Sequence, residues 1–158
     1  MNFDASKVRI RPIGRADRWG IIEIVEILEE MPHWPLESFS ELMDQNPAVR
    51  RISLLAEDTA SAEVLGFVTA SLFPPQAELE MIAVAVGSQR RGLGRQLFDV
   101  LAVQLRAAEV GEVWLEVRAS NRVALAFYRS LGFGKTGLRL RYYTDPIEDA
   151  VLMGLKLG

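Results

Sequence analysis

The most constraining feature of this sequence is a cationic, glycine-containing turn between a predicted strand and a predicted long helix. The turn has the sequence QRRGLGR at residues 89–95, after a β-prone run at 78–86 and before a helical run at 92–109. A helix start has unpaired backbone N–H groups and about half a positive elementary charge, and glycines let a phosphate approach that backbone closely. The segment therefore predicts a phosphate-binding helix start. A solvated surface turn fits the same residues, and the pattern is neither a dinucleotide fingerprint nor a P-loop.

The apolar patterning on both sides of this turn predicts one mixed α/β domain over residues 1–158. Alternating or continuous apolar runs indicate strands, and apolar residues at helical spacing indicate helices that end at glycine or proline. We expect strands at 8–13, 51–56, 64–72, 78–86, 112–117, 138–143 and 150–156, and helices at 17–30, 36–45, 92–109 and 121–131. The strands at 78–86 and 112–117 should be parallel because a helix connects them.

Composition excludes several classes of function. The 158 residues include no cysteine and one histidine, so we expect no thiolate metal site, no disulfide framework and no metal. A net charge of −3 argues against nucleic-acid binding. The longest apolar runs are far shorter than the ~20 residues of a membrane span, and the N-terminus is charged rather than signal-like. We therefore expect a cytoplasmic protein with no membrane partner.

The turn and the strand before it resemble one known family. QRRGLG at residues 89–94 matches the Q/R-x-x-G-x-G/A motif of the GNAT superfamily of acyl-CoA-dependent N-acetyltransferases, and IAV at 82–84 occupies the position of its cofactor strand. The resemblance implies a mixed, mostly antiparallel twisted sheet that is flanked by helices and splays where acetyl-CoA, the co-substrate, enters. The implied acetyl-CoA contacts are Ile82, Ala83 and Val84 on the acetyl-pantetheine arm, and Gln89, Arg90, Arg91, Gly92, Leu93, Gly94 and Arg95 on the diphosphate.

Three further blocks resemble the RimI-type ribosomal-protein alanine N-acetyltransferases within that superfamily. They are WLEVRASN at residues 114–121, AFYRSLGF at 126–133 and RYYTDPIEDA at 141–150. The resemblance covers about residues 79–155 and implies acetylation of a protein N-terminal α-amine, with alanine of a basic ribosomal protein as the favoured acceptor. The sequence departs from this branch at residues 85–88, where AVGS replaces the usual acid and proline.

Two residues of these blocks fit the chemistry of acetyl transfer, which needs a proton acceptor for the amine and a proton donor for the departing thiolate. The resemblance implies that Glu116 is the general base, whereas charged strand residues are usually solvated or paired, here with Arg118. Tyr128 is the implied general acid and a further cofactor contact, although an aromatic residue on an amphipathic helix is more often part of the core. Asn121 is a candidate helix cap and a candidate ligand of the pantetheine arm.

The acceptor side of the site is implied less specifically. By resemblance, Tyr142 and Tyr143 border the acceptor groove, and hairpin packing is their alternative role. Trp34, in a loop bracketed by Pro32 and Pro35, is a candidate substrate contact. Residues 21–45 contain seven acids and no lysine or arginine. Such a run is usually a solvated helix face, and attraction of a basic N-terminal tail is the functional alternative.

Two other functions are compatible with the same motifs. The first is acetylation of a small amine or a lysine side chain by an enzyme of the same fold. The second is a module that binds acyl-CoA, or a partner protein, without turnover. The presence of both Glu116 and Tyr128 favours catalysis, and the absence of cysteine favours direct attack in a ternary complex over an acyl-thioester route.

Overall fold

The computed structural model describes residues 5–27, 49–89 and 91–158. Seven strands form one sheet in the order β1-β2-β3-β4-β5-β7-β6, and three α-helices in the described ranges flank it. The strands are β1 (Val8–Pro12), β2 (Arg51–Asp58), β3 (Val64–Phe73), β4 (Gln76–Val84), β5 (Glu112–Arg118), β6 (Gly134–Thr144) and β7 (Ile147–Lys156), and the helices are α1 (Arg18–Ile27), α2 (Leu93–Ala107) and α3 (Arg122–Ser130). No helix of this described part is long and apolar enough to cross a membrane.

Each predicted strand is present, and the differences lie at the ends of elements. β6 begins at Gly134 rather than residue 138, because residues 134–137 complete the pairing with β7 although their side chains are mostly exposed. β4 ends at Val84 rather than residue 86, and Val86–Ser88 form a 3-10 turn instead. The predicted helix at residues 36–45 lies outside the described residues, as does the end of the helix predicted at 17–30.

A separate apolar core covers each face of the sheet. On one face, α2 inserts Leu97, Leu101 and Leu105, all 0% exposed, against β2, β3 and β4. On the other face, α1 places Ile21 against Phe67 of β3. Trp19 belongs to the apolar spacing that predicted α1, but its side chain is 71% exposed and lies outside this core. The helices therefore pack against both faces of the sheet, as the α/β prediction required.

A β-bulge in β4 lies where this strand separates from β5. Pairing with β3 runs from Thr69–Met81 directly to Ala70–Leu79, so Glu80 is the extra residue. The bulge exchanges the faces of the strand, because Leu79 packs in the core on the α2 face whereas Met81 packs with α1.

The two parallel strands diverge beyond this bulge. β4 and β5 pair at only three positions, the last of them Glu78–Trp114, whereas all other neighbouring strands are antiparallel. Residues 79–84 and 115–118 therefore form the walls of a split in the sheet. The predicted splay is confirmed, and it lies directly below the start of α2.

Candidate active site

The glycine-containing turn at residues 89–95 leads into α2, as the sequence predicted. Gly92 precedes the helix with φ +78°, a left-handed conformation that glycine adopts without steric cost. In the described part of the chain, no side chain caps this helix start, and the hydrogen bond from the Gln96 N–H to the Gly92 carbonyl, 3.0 Å, closes the first helical turn. The N–H groups of residues 93–95 are thus oriented out of the helix end, as an anion site requires.

Two residues of the turn that are predicted to contact acetyl-CoA also fix the turn to neighbouring elements. The Gln89 amide donates to the Val84 carbonyl at 3.0 Å, which ties the turn to the end of β4. The Arg95 guanidinium donates to the Ser130 carbonyl at 2.6 Å, at the last residue of α3. Arg91 is exposed, and Arg90 lies outside the described residues. The turn is therefore fastened to both β4 and α3.

Gly94 brings the start of α2 against α3. A Cβ atom at this position would lie 2.9 Å from Cζ and 3.1 Å from Cε2 of Phe127. These distances are shorter than van der Waals contact, so any larger residue at position 94 would displace the Phe127 ring. The second glycine of the motif thus serves helix packing as well as backbone access.

The split between β4 and β5 presents backbone rather than side chains along part of its β4 wall. The Ala83 side chain is 4% exposed and packs with α1, and the Leu93 side chain is 1% exposed in the core. Their predicted acetyl-CoA contacts are therefore restricted to main-chain groups. Ile82 and Val84 are only partly buried and pack on the opposite face of the sheet, toward α2.

Glu116 lies on the β5 wall of the split, on the predicted strand face. Val113, Leu115 and Val117 alternate with it and are buried. The Glu116 carboxylate is 12% exposed, and its Oε1 atom lies 3.5 Å from Nη1 of Arg139 on β6. Interaction with the Glu116 carboxylate raises the pKa of the Tyr142 hydroxyl, and the Arg139 guanidinium lies 5.5 Å from the centre of the Tyr142 ring. Two side chains of β6 thus lie near this carboxylate.

The alternative partner for Glu116, Arg118, is engaged elsewhere. Its guanidinium pairs with Glu148 at 3.3 Å and lies 4.2 Å from the centre of the Tyr143 ring. The sequence suggested Arg118 as an ion-pair partner because it is on the same strand face as Glu116. The ion pair that forms instead, between Arg139 and Glu116, joins residues from different strands.

Tyr128 lies on α3 beside the main core. Its ring contacts Phe127 and Phe133 at centroid distances of 5.6 and 5.9 Å. Burial, together with the neighbouring Tyr143 phenol, raises the pKa of Tyr128 to about 12. The phenol therefore remains protonated at neutral pH and can act as a proton donor.

Tyr143 links the two candidate catalytic residues. Burial is the largest effect that raises the pKa of Tyr143, and the negative charge of Glu116 is the second. Since Tyr143 also raises the pKa of Tyr128, it lies within electrostatic reach of both side chains. The structure thus brings Glu116, Tyr128, Tyr142 and Tyr143 into one neighbourhood.

Asn121 has the predicted capping role at the start of α3. Its Oδ1 atom accepts the Ala124 N–H at 3.1 Å. This hydrogen bond occupies the carbonyl oxygen of the Asn121 side chain. The amide NH₂ group is the part of the side chain that can act as a donor to a ligand. Trp34, the remaining predicted contact, lies outside the described residues.

Glu78 is a site residue that the sequence analysis did not identify. Burial raises the pKa of Glu78, and the negative charges of Glu80 and Glu116 raise it further. Glu78 lies opposite Trp114 at the last pair of the β4–β5 ladder, where the split begins. The alternation of acids at 78 and 80 before the apolar residues 81–84 was the available signal.

Comparison with known proteins identifies the family. Residues 21–133 match the Acetyltransferase (GNAT) family. The chain belongs to this family. It is 42% identical over 102 residues to the [Ribosomal protein bS18]-alanine N-acetyltransferase of Escherichia coli (strain K12), an alignment that covers 63% of this chain and 69% of the relative. It is 34% identical to the N-alpha-acetyltransferase RimI of Mycobacterium tuberculosis, with 97% of this chain and 95% of the relative covered.

Solved structures give the same family assignment. The crystal structure of the ribosomal-protein-S18-alanine N-acetyltransferase from Escherichia coli superposes with a TM-score of 0.82 at 31% identity, and the match covers 96% of this chain and 94% of that chain. The predicted GNAT fold is therefore confirmed, as are the N-acetyltransferase class of this GNAT enzyme and acetyl-CoA as its co-substrate.

We expect Gly92→Ala to weaken acetyl-CoA binding about tenfold, because a left-handed alanine costs roughly 1–2 kcal/mol and the turn would relax away from the anion geometry. Isothermal titration calorimetry measures the change in Kd. Gly87→Ala, in the preceding 3-10 turn, is the matched control, because a Cβ there meets no atom within 4 Å and the backbone is not left-handed. An unchanged Kd for Gly92→Ala would show that this backbone conformation does not contribute to donor binding.

Proposed function

We propose that this GNAT enzyme transfers the acetyl group of acetyl-CoA to the N-terminal α-amine of a protein. The favoured acceptor is the N-terminal alanine of a ribosomal protein such as bS18, which would place the enzyme in the cytoplasm. The observation that carries the proposal is the mostly buried Glu116 carboxylate, which lies 3.5 Å from the Arg139 guanidinium on the wall of the split. The names of the relatives from Escherichia coli and Mycobacterium tuberculosis support the choice of an α-amine.

An α-amine suits a single carboxylate base. The reference pKa of an α-amine is about 8, so only a modest push makes it neutral at neutral pH. A lysine amine, with a pKa near 10.4, needs a stronger base or more desolvation. Among the described residues, the acids near the split are Glu78, Glu80 and Glu116, and Glu80 is paired with Arg51 at 2.8 Å. We infer that Glu116 accepts the ammonium proton, directly or through one water molecule.

The donor side of the split positions the thioester that acetyl-CoA supplies. Backbone groups of residues 82–84 hold the acetyl-pantetheine arm, and the N–H groups at the start of α2 hold the diphosphate. The Asn121 amide donates to the pantetheine arm while its carbonyl caps α3. These contacts aim the carbonyl carbon of the thioester at the wall that carries Glu116, and such positioning is a large part of the catalytic effect.

The reaction forms one C–N bond and breaks one C–S bond. Glu116 takes one proton from the ammonium group and passes it to solvent, and the neutral nitrogen then attacks the thioester carbonyl. As the C–S bond breaks, the nitrogen of the tetrahedral intermediate loses its second proton to Glu116. Tyr128 donates its phenolic proton to the leaving coenzyme A thiolate, and solvent returns a proton to the phenolate. A carboxylate on one wall and a neutral phenol on the adjacent helix thus perform opposite proton transfers.

The acceptor enters from the side of the β6–β7 hairpin. Tyr142 and Tyr143 are in edge-to-face contact, with ring centroids 5.1 Å apart, and Tyr142 is 46% exposed. We infer that these rings border the peptide backbone, and Trp34 stays a proposed substrate contact. The carboxylates of Glu78 and Glu116 favour a cationic peptide terminus, which agrees with a basic ribosomal tail.

We expect the enzyme to acetylate a peptide that begins Ala-Arg and to release no coenzyme A with the same peptide carrying a blocked N-terminus. Thiol release measured with a chromogenic disulfide, and mass spectrometry of the peptide, locate the product. A matched peptide with an internal lysine and a panel of small amines are the controls. Turnover of the blocked peptide or of a small amine alone would replace the α-amine proposal with a side-chain or small-amine acceptor, and no turnover of any amine would indicate a binding module.

We expect Glu116→Gln to lower kcat by about 100-fold or more, as loss of a general base does, with the Kd of acetyl-CoA within about twofold. Steady-state kinetics with the Ala-Arg peptide and calorimetry with acetyl-CoA measure the two quantities. Glu112→Gln is the matched control, because Glu112 is on the same strand and face but at the paired end of the β4–β5 ladder. Turnover by Glu116→Gln equal to that of the Glu112→Gln control would exclude Glu116 as the base.

We expect Tyr128→Phe to lower kcat by about 10-fold to 100-fold, because the thiolate then takes its proton from water. The pKa of Tyr128 is raised to about 12, so the donating form is present at all pH values up to about 10. Titration of Tyr128 should therefore cause no decrease in the kcat of the wild type below about pH 10. Any decrease that does occur below this pH should persist in Tyr128→Phe. Disappearance of such a limb in the variant would contradict the raised pKa, and an unchanged kcat would remove Tyr128 from the mechanism.

A further inference from the structure

Glu148, on β7, has a half-buried carboxylate whose two oxygens contact different parts of the site. The Oε1 atom accepts the backbone N–H of Ser120 at 2.6 Å, and the Oε2 atom lies 3.3 Å from Nη1 of Arg118. Hydrogen bonds from Ser120 and Arg118 lower the pKa of Glu148, so the side chain is ionised at neutral pH. Neither oxygen contacts Glu116 or Tyr128, so Glu148 is not itself a candidate acid or base.

The first oxygen fixes the segment that leads into α3. Ser120 immediately precedes Asn121, which caps α3, and α3 carries Tyr128. A second bond, from the Ala119 N–H to the Asp149 carbonyl at 3.1 Å, holds the same segment against β7. The position of the donor-side helix start therefore depends on β7.

The second oxygen fixes Arg118 against the acceptor side. The Arg118 guanidinium lies 4.2 Å from the centre of the Tyr143 ring, well within the ~6 Å range of a cation–π contact. It also donates to the Pro146 carbonyl at 3.4 Å, in the turn between β6 and β7. Glu148 thus places a cation on the ring that borders the proposed acceptor groove.

The neighbouring acid, Asp149, holds the backbone that leads to the same tyrosines. Its Oδ1 atom accepts the Arg141 N–H at 2.9 Å. Arg141 has φ +52°, a left-handed conformation that is uncommon for a residue other than glycine. It lies in the irregular stretch of β6 between Arg139 and Tyr143. Adjacent acids on β7 therefore set both the backbone and the side-chain environment of the Tyr142–Tyr143 pair.

We propose that Glu148 is a positioning residue that sets the acceptor tyrosines relative to the helix carrying Tyr128. One carboxylate oxygen fixes the entry to α3, and the other fixes Arg118 on Tyr143, so a single side chain links the two halves of the site. The proposal rests on the proposed function, which assigns the acceptor role to Tyr143 and the acid role to Tyr128. A side chain that merely fastened the hairpin would affect stability and leave the two substrates equally bound.

Two variants separate the roles of the two oxygens. Glu148→Gln keeps a carbonyl oxygen for the Ser120 N–H but places an NH₂ group toward Arg118. We expect the KM of the Ala-Arg peptide to rise about tenfold, with the KM of acetyl-CoA within about twofold, because displacing a positioning group by a fraction of an ångström is sufficient. Glu148→Ala removes both contacts, and the KM of acetyl-CoA should then rise as well.

The matched control is Glu109→Gln, an exposed acid after the end of α2. It should match the wild type in both KM values. Equal rises of both KM values in Glu148→Gln, or no rise in either, would overturn the proposal. A double-mutant cycle combines Glu148→Gln with Arg118→Gln. If Glu148 acts through Arg118, the peptide KM of the double variant equals that of Arg118→Gln alone. A peptide KM raised by the product of the two single effects would contradict this route.

A spectroscopic measurement tests the same link without turnover. The chain has three tyrosines, so ring-labelled tyrosine gives three sets of NMR signals. We expect Glu148→Gln and Arg118→Gln to shift the Tyr143 ring signals in the same direction and Glu109→Gln to leave them in place. An unmoved Tyr143 signal in folded Glu148→Gln overturns the proposal. Failure of wild-type peptide acetylation would instead reject the proposed acceptor, and the NMR result would still decide whether Glu148 holds Arg118 on Tyr143.

Discussion

The loss of pairing between β4 and β5 is the constraint on which the site depends. Two parallel strands that remained paired throughout would leave no room for a ligand between them. Here the extra residue, Glu80, changes the faces of β4, and the ladder ends at Glu78–Trp114. The free backbone of residues 82–84 then faces the strand that carries Glu116. A single irregularity in the sheet therefore opens the proposed donor site and places the candidate catalytic carboxylate beside it.

The electrostatics of the split follow from the same geometry. Burial raises the pKa of Glu78, and the negative charges of Glu80 and Glu116 raise it further. Arg139 balances part of this charge from β6, at 3.5 Å from Glu116 but with its side chain 53% exposed. The Glu116 carboxylate is thus mostly buried, whereas the cation beside it is largely solvated.

Sequence patterns were sufficient for the sheet and for the helix start at the turn. The family resemblance supplied Glu116 and Tyr128, whose roles stay predictions. The alternation around Glu116 predicted its face, and the glycines at 92 and 94 predicted the helix start. The contacts that connect strands distant in sequence were not predictable, because nothing local indicates that Arg139 pairs with Glu116 or that Arg118 pairs with Glu148. Trp19 shows the opposite limit, since apolar spacing on a helix does not reveal which end of the stripe the sheet covers.

The contact between Gly94 and Phe127 restricts how this site can vary among related sequences. A methyl group at position 94 would collide with the ring, and α3 is already tied to α2 by the bond from Arg95 to Ser130. The two helices cannot separate easily to accommodate a larger residue. A substitution at 94 should therefore be accompanied by a smaller side chain at 127, so the two positions are expected to covary during evolution.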